Sequence, residues 1–175
     1  DLYFKPYPCC RWAHPAIDAC IELIKKHNIS TSEIKKVTIH TFRRATMLSK
    51  IVPQTADEAQ YNIAYPVASA IIYGDFGFTQ VLEENLNDTA VIDMMNRLEF
   101  KVDENLDARF PAERICRAEI ETKDGKHFIS SECEPRGEAK ENIGIDWLSD
   151  KFYRITGPVL SKDAQDTLLE LITQN

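Results

Sequence analysis

The chain has 175 residues, a formal net charge of −7, 43% hydrophobic residues and 28% charged residues. This composition is typical of a globular protein with one sizeable core, and the negative charge argues against nucleic acid and anionic membranes as partners. No apolar run approaches the roughly 20 residues of a membrane-spanning helix, so we expect no membrane partner, while cysteines without a metal or disulfide pattern favour a cytoplasmic location. The chain starts at Asp1 without methionine, which indicates a start that is processed or cut from a longer protein.

The first predicted elements are a stiff segment, a helix and a strand. Residues 5–8 read Lys-Pro-Tyr-Pro, and their two prolines predict an extended, rigid backbone. A helix is predicted from His14 to Asn28, with Pro15 in its first turn and Asn28 as a left-handed end. Residues 34–42 alternate between apolar and polar side chains, which predicts a half-buried strand.

The middle of the chain is predicted to be helical. A helix starting near Thr55 runs toward residue 73, and Pro66 predicts either a kink or two consecutive helices. Residues 79–82 form a short helix, and Asp88 caps another that runs through Leu98. We expect two side chains of this last helix to point inward, Ile92 and Met95.

Strands and a final pair of helices complete the predicted fold. Residues 100–102 are a strand fragment, and residues 114–122 and 126–133 form a hairpin around the turn Asp124-Gly125. After a charged loop, helices are predicted over 145–156 and 161–173. The fold class is therefore α+β, with an antiparallel sheet layered with helices, followed by a C-terminal helical pair.

The positive charge is concentrated near the beginning of the chain. Residues 1–50 hold nine Lys and Arg against four Asp and Glu, whereas residues 51–175 hold twelve against twenty-four. A solvated helix face accounts for several of these lysines. Four other cations flank the stiff segment and the end of the first strand: Lys5, Arg11, Arg43 and Arg44.

The five cysteines do not form a metal-binding pattern. They lack Cys-x-x-Cys spacing, so we expect no metal, and free thiols in a reducing compartment are the simplest interpretation. Cys9 or Cys10 would be a nucleophile only if a base such as His14 lowered the pKa of its thiol, and packing beside a pocket is the favoured alternative. The sequence also has no dinucleotide-binding or P-loop motif.

Three segments resemble the MmgE/PrpD family, the 2-methylcitrate dehydratase-like enzymes. The first is residues 5–14, a Lys-x-Tyr-Pro segment followed by the histidine that opens a helix. The second is residues 58–68, Glu-Ala-Gln-Tyr-Asn-Ile-Ala-Tyr-Pro-Val-Ala, and the third is Lys151-Phe152. The three segments occur in the family's order over nearly the whole chain.

The resemblance implies a domain organisation and partners. Residues 1–137 correspond to the family's α+β lid, and residues 138–175 to helices that pack on a large helical domain absent from this sequence. The sequence is then the C-terminal part of a longer enzyme, inactive by itself. Its expected partners are that helical domain, a second copy in a homodimer and a small polycarboxylate substrate.

The resemblance also implies an activity, a dehydratase of propionate catabolism that needs no cofactor. In this interpretation His14 is catalytic and the missing domain supplies the catalytic base, and the alternative for His14 is a structural role in which it orients the arm by bonding to the backbone. Some relatives have histidine where Cys10 stands, so epimerisation and decarboxylation remain alternatives to dehydration. A non-catalytic binding or dimerisation module is the alternative from another class. The candidate substrate-binding residues are Lys5 and Tyr7 of the matched segment, together with Arg11, Arg43 and Arg44, each of which could bind a carboxylate through two hydrogen bonds or could instead pair with surface acids. The loop at Arg136 and Gly137 is a further candidate for the entrance.

Overall fold

A computed structural model describes residues 2–141 and 143–173. The helices are α1 (His14–His27), α2 (Arg43–Thr46), α3 (Ala56–Gln60), α4 (Ala64–Tyr73), α5 (Thr89–Met95), α6 (Glu104–Arg109), α7 (Ile145–Thr156) and α8 (Lys162–Thr173). The strands are β1 (Ile34–Thr41), β2 (Leu98–Val102), β3 (Cys116–Thr122) and β4 (His127–Ile129). Short 3-10 helices lie at Arg11–Ala13, Thr31–Glu33, Thr79–Val81 and Glu83–Asn85. In this part of the chain, no helix is long and apolar enough to cross a membrane.

The four strands form one mixed sheet in the order β2-β1-β3-β4. Strand β3 is antiparallel to both β1 and β4, whereas β2 runs parallel to β1. The predicted α+β class is confirmed and most of the sheet is antiparallel, but the β1–β2 pair departs from the prediction. The chain between these two strands passes through α2 to α5, and a helical crossover of this kind brings the second strand back in the same direction.

The core lies between one face of the sheet and the helices α1 and α4. Val37, Ile39, Ala118 and Ile120 alternate along β1 and β3 and are fully buried. Helix α1 packs on both β3 and α4, and α4 packs on α5. Burial of this apolar surface is the main favourable contribution to folding. The same packing places the beginning of α1 beside the sheet.

The predictions for α1 and for the α3–α4 region are confirmed. Helix α1 has Pro15 in its first turn and ends at Asn28, which has a φ of 50°. Helices α3 and α4 are two consecutive helices, and Pro66 lies in the first turn of α4, where a missing N–H breaks no intrahelical bond. The side chain of buried Asn62 accepts from the Tyr65 N–H at 2.9 Å and so caps α4.

The prediction for α5 is partly wrong. Asp88 caps the helix as expected, but the helix ends at Met95, and Leu98 belongs to β2. Met95 is buried, whereas Ile92 is only partly buried because Val91 and Met94 provide the rest of the buried side of the helix.

The C-terminal helices α7 and α8 occur within one residue of their predicted bounds. The Ser161 hydroxyl accepts from the Ala164 N–H at 3.3 Å, as expected for a helix cap. Helix α7 has no fully buried residue, and in α8 only Gln165 is buried. Large apolar side chains are exposed on both helices: Ile145, Ile155, Leu168 and Ile172. The predicted domain boundary at residue 137 stays a prediction.

Candidate functional site

The arm, defined here as residues 2–10, is attached to the loop after β4. The Phe4 N–H donates to the Gly137 carbonyl at 2.9 Å. Gly137 has a φ of 86°, and a Cβ atom at this position would lie 1.9 Å from the Phe4 carbonyl oxygen. Glycine is therefore required there, both for the left-handed backbone and for the close approach of the arm.

A second attachment, which we call the clamp, consists of Tyr7, Asp18 and Arg136. The Tyr7 hydroxyl donates to Asp18 Oδ1 at 2.6 Å, and Arg136 Nη2 donates to the Tyr7 oxygen at 2.9 Å. Arg136 also binds both Asp18 oxygens, with Nη2 at 2.8 Å and Nε at 3.1 Å. Burial and the Asp18 charge raise the pKa of Tyr7, so its phenol stays protonated and remains a donor. The clamp joins the arm, α1 and the loop at residue 136.

Lys5 and His14 meet at one backbone oxygen of the arm. Lys5 Nζ lies 3.2 Å and His14 Nε2 lies 3.3 Å from the Cys9 carbonyl oxygen. Since a carbonyl only accepts, both nitrogens donate, and this selects the His14 tautomer that carries its proton on Nε2. The Tyr7 and His14 rings also make an edge contact, with centroids 5.3 Å apart. The arm thus holds the Lys5 ammonium in a defined place.

His14 is fully buried and neutral at pH 7. Burial, followed by the positive charges of Lys5, Arg11 and Arg136, lowers the pKa of His14 to about 4, although its bond to Cys9 opposes this shift. Its Nδ1 atom is buried and has no hydrogen-bond partner in the described part of the chain. The catalytic role of His14 stays a prediction. What the structure shows is a side chain that bonds to the arm.

Arg11 lies next to this cluster, with its charge already engaged. Its guanidinium lies over the Tyr3 ring, 4.1 Å from the centroid, and forms an ion pair with Glu138. Burial and the charge of Arg114 lower the pKa of Arg11. Arg11 can turn toward a substrate only by leaving Glu138, and its substrate-binding role stays a prediction.

Arg43 and Arg44 follow β1, in the first turn of α2, and Arg43 binds a different part of the chain. Arg43 Nη2 bonds Glu104 Oε1 at 2.8 Å, and the Arg43 N–H donates to Asp107 Oδ1 at 2.8 Å. Arg44 is exposed. Of the predicted site residues, the structure therefore brings together Lys5, Tyr7, Arg11 and His14. Arg43 and Arg44 have no contact with this group among the described residues.

Two adjoining clefts open beside the clamp. The larger has a volume of about 630 Å³, and in it Lys25, Arg136 and Arg154 face four carboxylates. The smaller, which we call the α7 cleft, has a volume of about 260 Å³ and lies between Pro6-Tyr7 of the arm and Trp147, Lys151 and Arg154 of α7.

Arg154 and Asp75 were missed by the sequence analysis, and Arg136 was considered only for the entrance. Arg154 Nη1 binds both Asp75 oxygens, at 2.8 and 3.2 Å, and its Nη2 bonds the Pro6 carbonyl. No spacing rule relates Asp75 after α4 to Arg154 on α7, since the contact joins residues far apart in the sequence. The amphipathic pattern of α7 was the only available signal.

The Cys9 thiol does not support nucleophilic chemistry. Cys9 is buried, and its burial raises the pKa of the thiol. A raised pKa leaves little thiolate at neutral pH, which favours the packing interpretation for Cys9. In the part of the chain that the structure describes, no three His, Cys, Asp or Glu side chains are grouped so that they could hold a metal ion.

The family of the chain follows from its match to a family model. A comparison with family models matches residues 7–174 to the MmgE/PrpD C-terminal domain. The match spans most of the chain, and the chain belongs to the MmgE/PrpD family through this C-terminal domain. A comparison with curated proteins finds no match.

Proposed function

We propose that this chain is the substrate-binding lid half of a cofactor-independent hydro-lyase resembling 2-methylcitrate dehydratase, acting on small polycarboxylates. Support comes from the family and from one observation about Lys5. Lys5 is an exposed residue, its ammonium is placed by the Cys9 carbonyl, and it has no carboxylate partner among the described residues. A positioned cation without a counter-charge suits the recognition of a carboxylate.

The proposed chemistry explains why such a cation is useful. Dehydration removes a proton from the carbon beside a carboxylate, and negative charge then builds up on that carboxylate. A cation that is already in place stabilises this charge without reorganising during the reaction. Under this proposal Lys5 supplies the cation, while the clamp keeps the arm fixed. The helical domain supplies the base, and a general acid protonates the leaving hydroxyl.

The alternatives differ in their products. An epimerase of the same family would invert the carbon without releasing water, and a decarboxylase would release carbon dioxide. A non-catalytic binding or dimerisation module would show no reaction and no dependence on Lys5. The exposed apolar side chains of α7 and α8 favour a docking role for these helices, with either the helical domain or a second copy of the chain as the partner.

The test uses the product of the complete gene, with this chain alone for comparison. We expect the complete protein to release water from 2-methylcitrate or citrate, and Lys5→Ala to lower kcat/KM about 100-fold. The matched control is Lys26→Ala, which removes an exposed lysine from the last turn of α1 and should leave the rate unchanged. This chain alone should show no turnover, and light scattering should report a dimer of the complete protein.

Three results would contradict the proposal. The complete protein could bind citrate or methylcitrate tightly without turnover, which would exclude the hydro-lyase. Lys5→Ala could keep the full rate, which would remove the role of the arm. This chain alone could dehydrate 2-methylcitrate, which would show that it is not half of a site.

A further inference from the structure

Lys151 differs from the other two cations of the α7 cleft. Arg154 binds Asp75 and Arg136 binds Asp18, so both carry their own counter-charge. Lys151 is half-buried, and its ammonium has no hydrogen bond and no ion pair within the described residues. Burial and the neighbouring Arg154 charge lower the pKa of Lys151. In the described part of the chain, Lys151 is therefore the cation of this cleft that has no bonded counter-charge.

The walls of the α7 cleft are fixed before any ligand enters. Arg154 is held between Asp75 and the Pro6 carbonyl, and the Trp147 ring packs against Phe4 with centroids 6.4 Å apart. An anion entering such a site would require little rearrangement of side chains, which lowers the entropic cost of binding.

The α7 cleft is the less negative of the two clefts. Once the pairs Arg154–Asp75 and Arg136–Asp18 are set aside, Lys151 and Asp150 are the charged residues that remain in its lining. Asp150 is exposed and does not pair with Lys151, so the Lys151 ammonium is available to a ligand. The larger cleft, in contrast, has one more carboxylate than cations. Of the two, the smaller cleft is therefore better suited to a negatively charged group.

We propose that the α7 cleft binds a small oxyanion, a carboxylate or phosphate group, at Lys151 Nζ, with the apolar part of the ligand against Trp147. This site goes beyond the function proposed for Lys5, which does not line the cleft and whose ammonium is bound at the Cys9 carbonyl. An ammonium is a point charge that binds a carboxylate or a phosphate equally readily. An experiment must therefore decide which of the two the cleft binds.

The test is a titration of this chain with malonate and, separately, with inorganic phosphate. The indole N–H resonance of Trp147 reports the cleft, and that of Trp12 is the internal control because Trp12 packs against Phe42 and Phe110. We expect a saturable shift of the Trp147 resonance with at least one of the two anions, weakened by added salt. If the stronger shift is produced by malonate, the ligand group is a carboxylate, and if it is produced by phosphate, the ligand group is a phosphate.

Variants assign the binding to Lys151. Lys151→Gln should weaken the binding about tenfold or more, and Lys151→Arg should retain most of it. Lys162→Gln is the matched control, since it makes the same charge change on α8, where Lys162 is already paired with Asp166. Lys5→Ala should keep the Trp147 shift, which separates this site from the proposed function. The proposal is overturned if neither anion shifts Trp147 saturably, or if Lys162→Gln weakens binding as much as Lys151→Gln.

Discussion

The arm and the C-terminal helices both lie outside the core of the sheet and α1, but they are held in different ways. The arm has Tyr7 and Cys9 buried and its polar groups bound to α1 and to the loop at Gly137. Helices α7 and α8 keep almost all of their side chains at least partly exposed, and Arg154 binds α7 to the arm and to Asp75. The comparison shows that a segment without regular structure can bury a larger share of its side chains than two regular helices.

The largest difference in the free energy of unfolding should be between a core variant and a matched variant on α8. Ile39→Ala removes a fully buried side chain of β1 and should lower the free energy of unfolding by about 3 kcal/mol. Ile172→Ala removes a side chain that is 65% exposed and should cost less than about 0.5 kcal/mol. Urea unfolding followed by circular dichroism measures both. Equal losses would mean that α8 is covered in solution.

The next effect is a dependence of the free energy of unfolding on pH that arises from His14, beside the arm. Helices α7 and α8 contain no histidine and contribute nothing of this kind. The pKa of His14 is lowered to about 4 in the folded protein, against about 6.5 in an unfolded chain. The unfolded chain therefore binds more protons between these values. Stability should be complete above pH 6.5 and should fall by about 3 kcal/mol as the pH decreases to 4.

The matched variants for this effect are His14→Gln and His27→Gln. His14→Gln should remove most of the pH dependence in that range, whereas His27→Gln should keep it, because His27 is exposed. Carboxylates that titrate at low pH affect all three proteins alike. If the wild-type and His14→Gln unfolding curves changed identically with pH, His14 would not be the buried neutral group described here.

A smaller effect tests how the arm is attached. Gly137→Ala places a Cβ against the Phe4 carbonyl at a positive φ and should cost about 2 kcal/mol, with faster hydrogen exchange at the Phe4 amide. Gly125→Ala is the control, since Gly125 has a φ of 83° but no atom near its Cβ position. It should cost about 1 kcal/mol and leave exchange at Phe4 unchanged. Unchanged exchange at Phe4 in Gly137→Ala would contradict the attachment.

The smallest effect concerns the clamp itself. Tyr7→Phe removes the hydroxyl that donates to Asp18 and accepts from Arg136, while the Asp18–Arg136 ion pair remains. We expect a loss of about 1 kcal/mol in the free energy of unfolding. Tyr61→Phe, at a ring that is 68% exposed, should have no measurable effect. A Tyr7→Phe variant as stable as wild type would show that Asp18 and Arg136 hold the arm without Tyr7.

Local patterns predicted most of the secondary structure. The proline in the first turn of α1, the asparagine at its end and the Asp-Gly turn of the hairpin are local signals, and the structure has each feature at the expected residue. The parallel pairing of β1 with β2 could not be predicted in this way, because it depends on the path of four helices between the strands. Helix α6, capped by Asp103, was missed because it spans only six residues.

The candidate site was harder to predict than the fold. Lys5, Tyr7, Arg11 and His14 lie within ten residues of one another, so one motif identified all four. Of the groups that hold them, Asp18 lies one turn further along α1, whereas Arg136 follows β4 and Arg154 is on α7. Contacts between residues this far apart leave no periodic signal in a single sequence.

The contact between Gly137 and Phe4 links the length of one loop to the geometry of the site. Because the loop after β4 holds the arm through backbone atoms at residue 137 and through the Arg136 side chain, its length sets where the arm begins. A single-residue insertion between Pro135 and Arg136 would shift both anchors at once and should displace the arm that carries Lys5. This loop can therefore vary in sequence more freely than in length, with residues 136 and 137 as its exceptions.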